Sequence, residues 1–90
     1  MIKNNLEKIR KEIDRADQKI IDALALRFKL SKKIARFKNP NKIYDRQREK
    51  QIIKNVLTFA QSKNLNKTFI QKIYKEILKE SKKQLTNILK

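Results

Sequence analysis

Charged side chains that could hold a small anion are concentrated between two apolar-periodic stretches of this 90-residue sequence. Lys38 ends the first stretch. Asp45, Arg48 and Glu49 open the second. Asp45, Arg48 and Glu49 are at i, i+3 and i+4, positions that share one face of a helix. Their side chains should converge with that of Lys38, which brings two cations and two carboxylates together. The pattern predicts a pocket for a small anion that also carries a hydroxyl group.

Two arginines of the first stretch could extend this pocket. Arg27 lies eleven residues before Lys38, so the two side chains point the same way, about 16 Å apart along a helix, and could bind opposite ends of one molecule. Arg10 is about 25 Å from Arg27 along the same helix. It could reach the same ligand only from a second, antiparallel chain. Each cation taken alone also fits a solvated helix face.

One long helix must position these arginines. It is predicted at about residues 5–38, where apolar residues recur at three- and four-residue steps. Asn4 and Glu7 resemble a capping box at its start. Asn39-Pro40-Asn41 should end it, because the residue before proline avoids the helical conformation.

Two further helices complete the predicted domain. Apolar stripes place them at about 45–62 and 67–89, and Asn66 is a suitable N-cap for the second of them. The sequence lacks glycine and has one proline, which argues against sheets with tight turns. We therefore predict a single all-α domain, residues 1–90, built as a three-helix protomer.

The predicted first helix is too long for so small a domain. About 33 residues at 1.5 Å each give about 50 Å, whereas a compact 90-residue domain spans only about 30–35 Å. One end must then extend beyond its own core, and an apolar stripe there needs another chain to cover it. We expect an intertwined homodimer that exchanges elements between protomers.

The formal net charge of +16 also requires an interpretation. Such an excess is typical of proteins that bind nucleic acid, an anionic membrane surface or an acidic ligand. The lysines, however, are spread over all segments instead of one arm or stripe, so a lysine-rich surface without a specific partner is the simpler interpretation. In either case the charge would speed the arrival of a small polyanion.

Cysteine and histidine are both absent from the sequence. This excludes cysteine nucleophiles, disulfide frameworks and the usual zinc ligands, and it removes the commonest general base. We predict no cofactor and no metal. No apolar run reaches the length of a membrane span and the N-terminus lacks an apolar signal core, so we expect a cytoplasmic protein with no membrane partner.

The order of these charged residues is similar to that of one known family. Residues 6–14, 17–21 and 24–27 resemble the family's first helix, and Lys38 falls at its end. The segment 45–49 matches a D-x-x-R-E pattern at the start of the family's second helix. In this order, and in a chain of this length, the sequence resembles the all-helical chorismate mutases of the AroQ class.

The resemblance implies a function as well as a fold. The fold would be a three-helix protomer in an intertwined dimer with two active sites. The reaction would be the Claisen rearrangement of chorismate to prephenate, in phenylalanine and tyrosine biosynthesis. Isochorismate pyruvate lyase, on the same scaffold, is an alternative. A basic helical nucleic-acid-binding dimer is an alternative of a different class, although Asp45 and Glu49 would repel phosphate.

The resemblance also implies substrate-binding and catalytic roles for the cations. Arg27, together with Arg10 from the partner chain, would bind the substrate carboxylates, for which bidentate arginine is well suited. Lys38 would contact a carboxylate and donate to the ether oxygen, where negative charge grows as the bond breaks.

The residues that open the second helix would bind the rest of the ligand. Glu49 would accept a hydrogen bond from the ring hydroxyl, with help from the Asp45 region. Arg48 would order this segment and the carboxylates. A surface salt bridge with nearby lysines is the structural alternative for Glu49.

The third helix departs from the family pattern. The family has a small polar residue followed four positions later by Gln or Glu, a second donor to the ether oxygen. An ungapped alignment puts Ser81 at the first position and Leu85, which cannot donate, at the second. Gln84 lies about 100° around the helix from Leu85. Either a local register shift turns Gln84 inward, or the site works with one donor fewer.

Overall fold

A computed structural model describes residues 2–37 and 45–89 of the chain. The regular elements in these ranges are all helical. The prediction of an all-α chain with three helices is therefore confirmed. The helices are α1, Ile2–Ile34, α2, Arg46–Ser62, and α3, Lys67–Leu89, and a 3₁₀ turn, Ala35–Phe37, follows α1. Lys38 and the predicted helix stop at 39–41 lie outside the described residues.

The chain divides into two compact units. The first, Met1–Leu30, consists of α1 without its last turn. The second, Ser31–Lys90, contains that last turn, the 3₁₀ turn, α2 and α3. Within the second unit, α2 and α3 pack against each other. None of the described helices is long and apolar enough to cross a membrane.

Helix α1 begins and ends earlier than the apolar pattern predicts. It starts at Ile2, so Asn4 lies inside the helix and its predicted capping role is wrong. Residues 2–4 contain neither glycine nor proline, and nothing in them stops the helical backbone. The α-helical hydrogen bonding ends at Ile34, and the chain then tightens into the 3₁₀ turn, as helix termini commonly do.

Side-chain caps fix both helices of the second unit. Asp45 Oδ1 accepts a hydrogen bond of 3.0 Å from the backbone N–H of Arg48. Asn66 Oδ1 accepts one of 2.9 Å from the backbone N–H of Phe69, which confirms the cap predicted there. Between the helices, Asn64 adopts a positive φ of 58°, a conformation that asparagine tolerates better than most residues. These local contacts set where α2 and α3 start.

Replacing Asn66 with alanine should lower the free energy of unfolding by about 0.5–2 kcal/mol, because the N–H of Phe69 loses its acceptor. A urea titration followed by circular dichroism measures the change. Asn55→Ala is the matched control, since the same substitution there falls at an exposed position inside α2. An equal or smaller loss of stability for Asn66→Ala than for Asn55→Ala would contradict the capping role.

The buried core is small. Among the residues whose burial is described, its apolar members are Ala35, Ala60, Leu78 and Leu85, all in the second unit, and Ser81 on α3 is buried as well. By contrast, most of the large apolar residues described on α1 are exposed, from 44% for Leu6 to 62% for Ile21. The exposed set on α1 comprises Leu6, Ile9, Ile13, Ile20, Ile21, Leu26, Leu30 and Ile34. An exposed apolar surface of this extent is typical of an interaction site.

Candidate active site

A cleft of about 760 Å³ opens between α2 and α3, and its size suits a small-molecule ligand. Basic side chains dominate the lining, and Glu49 is the one carboxylate among the described residues that form it. The apolar lining residues are Ile53, Leu57 and Leu78, and the basic ones are Arg46, Lys50, Lys54, Lys75 and Lys82. The cleft therefore combines an apolar surface with a strongly positive one, as a site for an organic anion requires.

An ion pair joins the two walls of the cleft. Lys82 Nζ on α3 lies 3.1 Å from Glu49 Oε1 on α2. Both side chains are partly buried, with 35% of Lys82 and 22% of Glu49 exposed. The pair links the first turn of α2 to the second half of α3. Since only residues 63–66 join the two packed helices, α2 and α3 run antiparallel. Glu49 thus lies in the cleft, next to a cation that is not among the predicted site residues.

Asp45 and Arg48 do not line the cleft with Glu49. Asp45 has an extended backbone and turns its carboxylate back onto the first turn of α2, where it caps the helix. The Arg48 guanidinium is exposed and donates from Nη1 to Gln51 Oε1 over 2.9 Å. Both residues instead line a separate depression of about 580 Å³ along α2. The predicted convergence of three charges on one face assumed that Asp45 was helical, which it is not.

The buried side of helix α3 carries few polar groups. Ser81 is 8% exposed and Leu85 is 6% exposed, so both lie on the side that packs inward. Gln84 is only partly buried. The buried side of α3 therefore carries a hydroxyl group at position 81 and an apolar side chain at position 85, the two positions that the ungapped alignment assigns to the polar pair.

The two arginines of the first unit have different surroundings. Arg10 is exposed, and its Nη1 lies 3.5 Å from Glu7 Oε1, one turn earlier. Arg27 is partly buried, as are Leu24 and Phe28 on either side of it, whereas residues 4–23 are exposed. Partial burial beside apolar side chains strengthens the electrostatic interaction of an arginine with an anion.

The residue that sequence reasoning missed is Lys82. A signal for it exists, because Gln71, Lys75, Leu78 and Lys82 follow one another at i, i+4, i+7 and i+11 and so share one face of α3. That spacing does not reveal which face of α2 lies opposite. The contact with Glu49 needs the packing of the two helices and cannot be read from either alone.

The chain matches the family model of chorismate mutase type II over residues 9–85. It is also similar to two curated proteins, each described as a bifunctional chorismate mutase/prephenate dehydratase. The one from Buchnera aphidicola subsp. Schizaphis graminum (strain Sg) is 36% identical over 81 residues, which are 88% of this chain and 21% of the relative. The one from Buchnera aphidicola subsp. Baizongia pistaciae (strain Bp) is 34% identical over 82 residues, 89% of this chain and 22% of the relative. No solved structure matches the chain significantly.

The matched segment includes nearly all of the chain that the structure describes. It runs from the first turns of α1 through α2 to Leu85 on α3, and so contains Arg10, Arg27 and Glu49. The chain spans about a fifth of the length of the curated relatives it matches. Since the family match covers well over half of these 90 residues, the chain belongs to the chorismate mutase type II family.

Proposed function

We propose that this chain is a chorismate mutase, which rearranges chorismate to prephenate in phenylalanine and tyrosine biosynthesis. The observation that carries the proposal is the family match over residues 9–85. Both curated relatives also have chorismate mutase in their descriptions. The basic cleft with the Glu49 carboxylate supports the proposal, since the substrate is a dicarboxylate that also carries a ring hydroxyl.

The chemistry explains which groups such a site needs. In the Claisen rearrangement an ether C–O bond breaks and a C–C bond forms within the same molecule, so the protein supplies no electrons and no proton. It has to hold the ligand in a compact conformer and stabilise the negative charge that grows on the ether oxygen. Following the family, Arg27 and Arg10 of the partner subunit bind the carboxylates, and Lys38 contacts a carboxylate and the ether oxygen.

The first turn of α2 has a supporting role in this proposal. Glu49 accepts the hydrogen bond of the ring hydroxyl, and Asp45 and Arg48 fix the backbone that carries it. The Asp45 side chain accepts from the Arg48 N–H, and the Asp45 carbonyl accepts from the Glu49 N–H over 3.0 Å. Ser81 is the polar residue that the buried side of α3 offers to the ligand, and Gln84 is the further donor that the sequence pattern offers on this helix.

We further propose that the active form is a homodimer, intertwined through α1. The exposed apolar face of this 33-residue helix needs a cover, and a second copy supplies one. The charge on the first part of α1 is compatible with contact between two copies of the chain. Residues 4–26 contain five acidic and five basic residues and are neutral, whereas residues 27–90, with nineteen basic and four acidic residues, carry +15. Two copies can therefore approach along residues 4–26 without net repulsion.

The deciding experiment mixes purified protein with chorismate and follows the loss of chorismate and the appearance of prephenate. Prephenate formation above the uncatalysed rate is expected, and its absence would contradict the proposal. A parallel assay with isochorismate detects pyruvate, which would indicate the lyase alternative. Salt-sensitive binding to RNA or DNA without turnover would favour the nucleic-acid alternative. The cytoplasmic location stays a prediction from the sequence.

A further inference from the structure

The buried side of α3 lacks a strong donor where the family places its second one. Leu85 fills that position with an apolar side chain and is 6% exposed. Ser81, one turn earlier, offers a hydroxyl group but no charge. If the ether oxygen receives a second hydrogen bond from this helix, the donor must come from a neighbouring position. Gln84 is not among the described residues that line the cleft, whereas Lys82 is.

Lys82 has the chemistry and the placement for this task. Its ammonium lies in the cleft, 3.1 Å from Glu49 Oε1, and the side chain is 35% exposed. Lys82 and Leu85 are at i and i+3 and lie near each other on the surface of α3. An ammonium group carries three N–H donors, so a bond to one carboxylate oxygen is compatible with a bond to a ligand.

The ion pair places this ammonium near the part of the ligand that needs a donor. In chorismate the ring hydroxyl and the ether oxygen sit on neighbouring ring carbons. A carboxylate that accepts from the hydroxyl is therefore close to the ether oxygen as well. The ammonium that contacts Glu49 comes within reach of that oxygen when the hydroxyl is bound.

We propose that Lys82 is a catalytic donor, which is held in place by Glu49 and hydrogen-bonds the ether oxygen of the substrate in place of the donor that Leu85 cannot supply. This inference rests on the proposed function. The Lys82 ammonium keeps its proton throughout. Its N–H stabilises the charge on the oxygen while the C–O bond breaks and the C–C bond forms in the ligand. Such a charged donor is stronger than the neutral amide of the family pattern.

The test compares Lys82→Met with Lys83→Met. The first removes the ammonium and keeps an unbranched apolar stem, and the second makes the same change at the next position of α3, which is exposed. Loss of a donor to a transition-state charge should lower kcat for chorismate on the order of 10²-fold, with KM changed little. Lys83→Met should leave both constants near those of the wild type. Circular dichroism verifies that both variants are folded.

A second variant separates a donor from a residue that only holds Glu49. Adding Leu85→Gln to Lys82→Met restores a donor one turn further along α3, and kcat should recover by tenfold or more if the missing group is a donor. A folded double variant without recovery would overturn the donor role. If Leu85→Gln disrupts folding because the position is buried, Lys82→Gln makes the same distinction, since its amide keeps an N–H donor at position 82 but cannot form an ion pair with Glu49. A folded Lys82→Gln with no higher kcat than Lys82→Met would likewise overturn the donor role.

The remaining outcomes distinguish this inference from the proposed function. Normal kcat in Lys82→Met, in a protein whose wild type converts chorismate, overturns the inference alone. A loss confined to KM also overturns it, since the ammonium would then bind substrate and transition state equally. A wild type that does not convert chorismate overturns the proposed function, and the inference falls with it.

Discussion

Arg27→Ala is expected to cause a large loss of activity toward chorismate. In the proposed site this guanidinium pairs with a substrate carboxylate, and the side chain is already partly buried before the ligand binds. Truncating one partner of a buried, hydrogen-bonded charge pair costs about 2–5 kcal/mol. That range corresponds to about a 30- to 5,000-fold fall in kcat/KM.

Lys29→Ala is the control for this prediction. Lys29 lies two residues later on α1 and is exposed. Its replacement by alanine removes one positive charge, as Arg27→Ala does. If long-range attraction by the net charge of the chain were all that Arg27 provided, the two variants would lose activity equally. A specific carboxylate contact predicts a large loss for Arg27→Ala alone, with circular dichroism and sedimentation unchanged. Retention of most activity in Arg27→Ala would remove this residue from the site.

Helix positions in this protein are encoded locally, which is why the sequence predicts them well. The apolar steps of α2 and α3 recur within a few residues, and Asn66 caps α3 through an N–H only three positions away. The start of α1 is less well predicted. Asparagine is a residue type that often caps helices, but a cap stabilises a helix only at the position where the helix begins. Since neither glycine nor proline interrupts residues 2–4, α1 begins at Ile2 and Asn4 lies inside it.

The candidate site depends on contacts between distant residues, and these are harder to predict. Asp45 and Glu49 belong to one short motif, yet the carboxylate of Asp45 caps α2 while that of Glu49 enters the cleft. The partner of Glu49 is Lys82, 33 positions later. Sequence spacing assigns residues to one face of one helix, but the contact depends on how two helices pack. This explains why the motif is recognisable whereas Lys82 is not.

The second large effect concerns the dimer, and it should appear when two inactive variants are mixed. Arg10→Ala and Arg27→Ala are each expected to be nearly inactive, because each site would use Arg27 of one chain and Arg10 of the partner subunit. The two arginines are about 25 Å apart along α1, too far to act on one ligand from the same chain. In a mixed dimer, one site retains both arginines and the other lacks both.

Random re-pairing of the chains determines how much activity the mixture should recover relative to the wild type. If equal amounts of the two variants re-pair at random, half of the dimers are mixed and half of the sites in those dimers are intact. Activity should therefore rise from near zero to about one quarter of the wild-type value. Chains with distinguishable tags show by co-purification that re-pairing has occurred.

The design of the mixture separates a shared site from simpler explanations. Two inactive variants that fold as independent monomers would give no recovery at any ratio, because no chain would contain both arginines. Recovery should also be lost when Arg10→Ala is mixed with a chain that carries both substitutions, since no site could then be intact. Proven re-pairing without recovery would reject the shared site, even if the wild type is an active dimer. Recovery near one quarter would mean that Arg10 of one chain acts in the active site of the other.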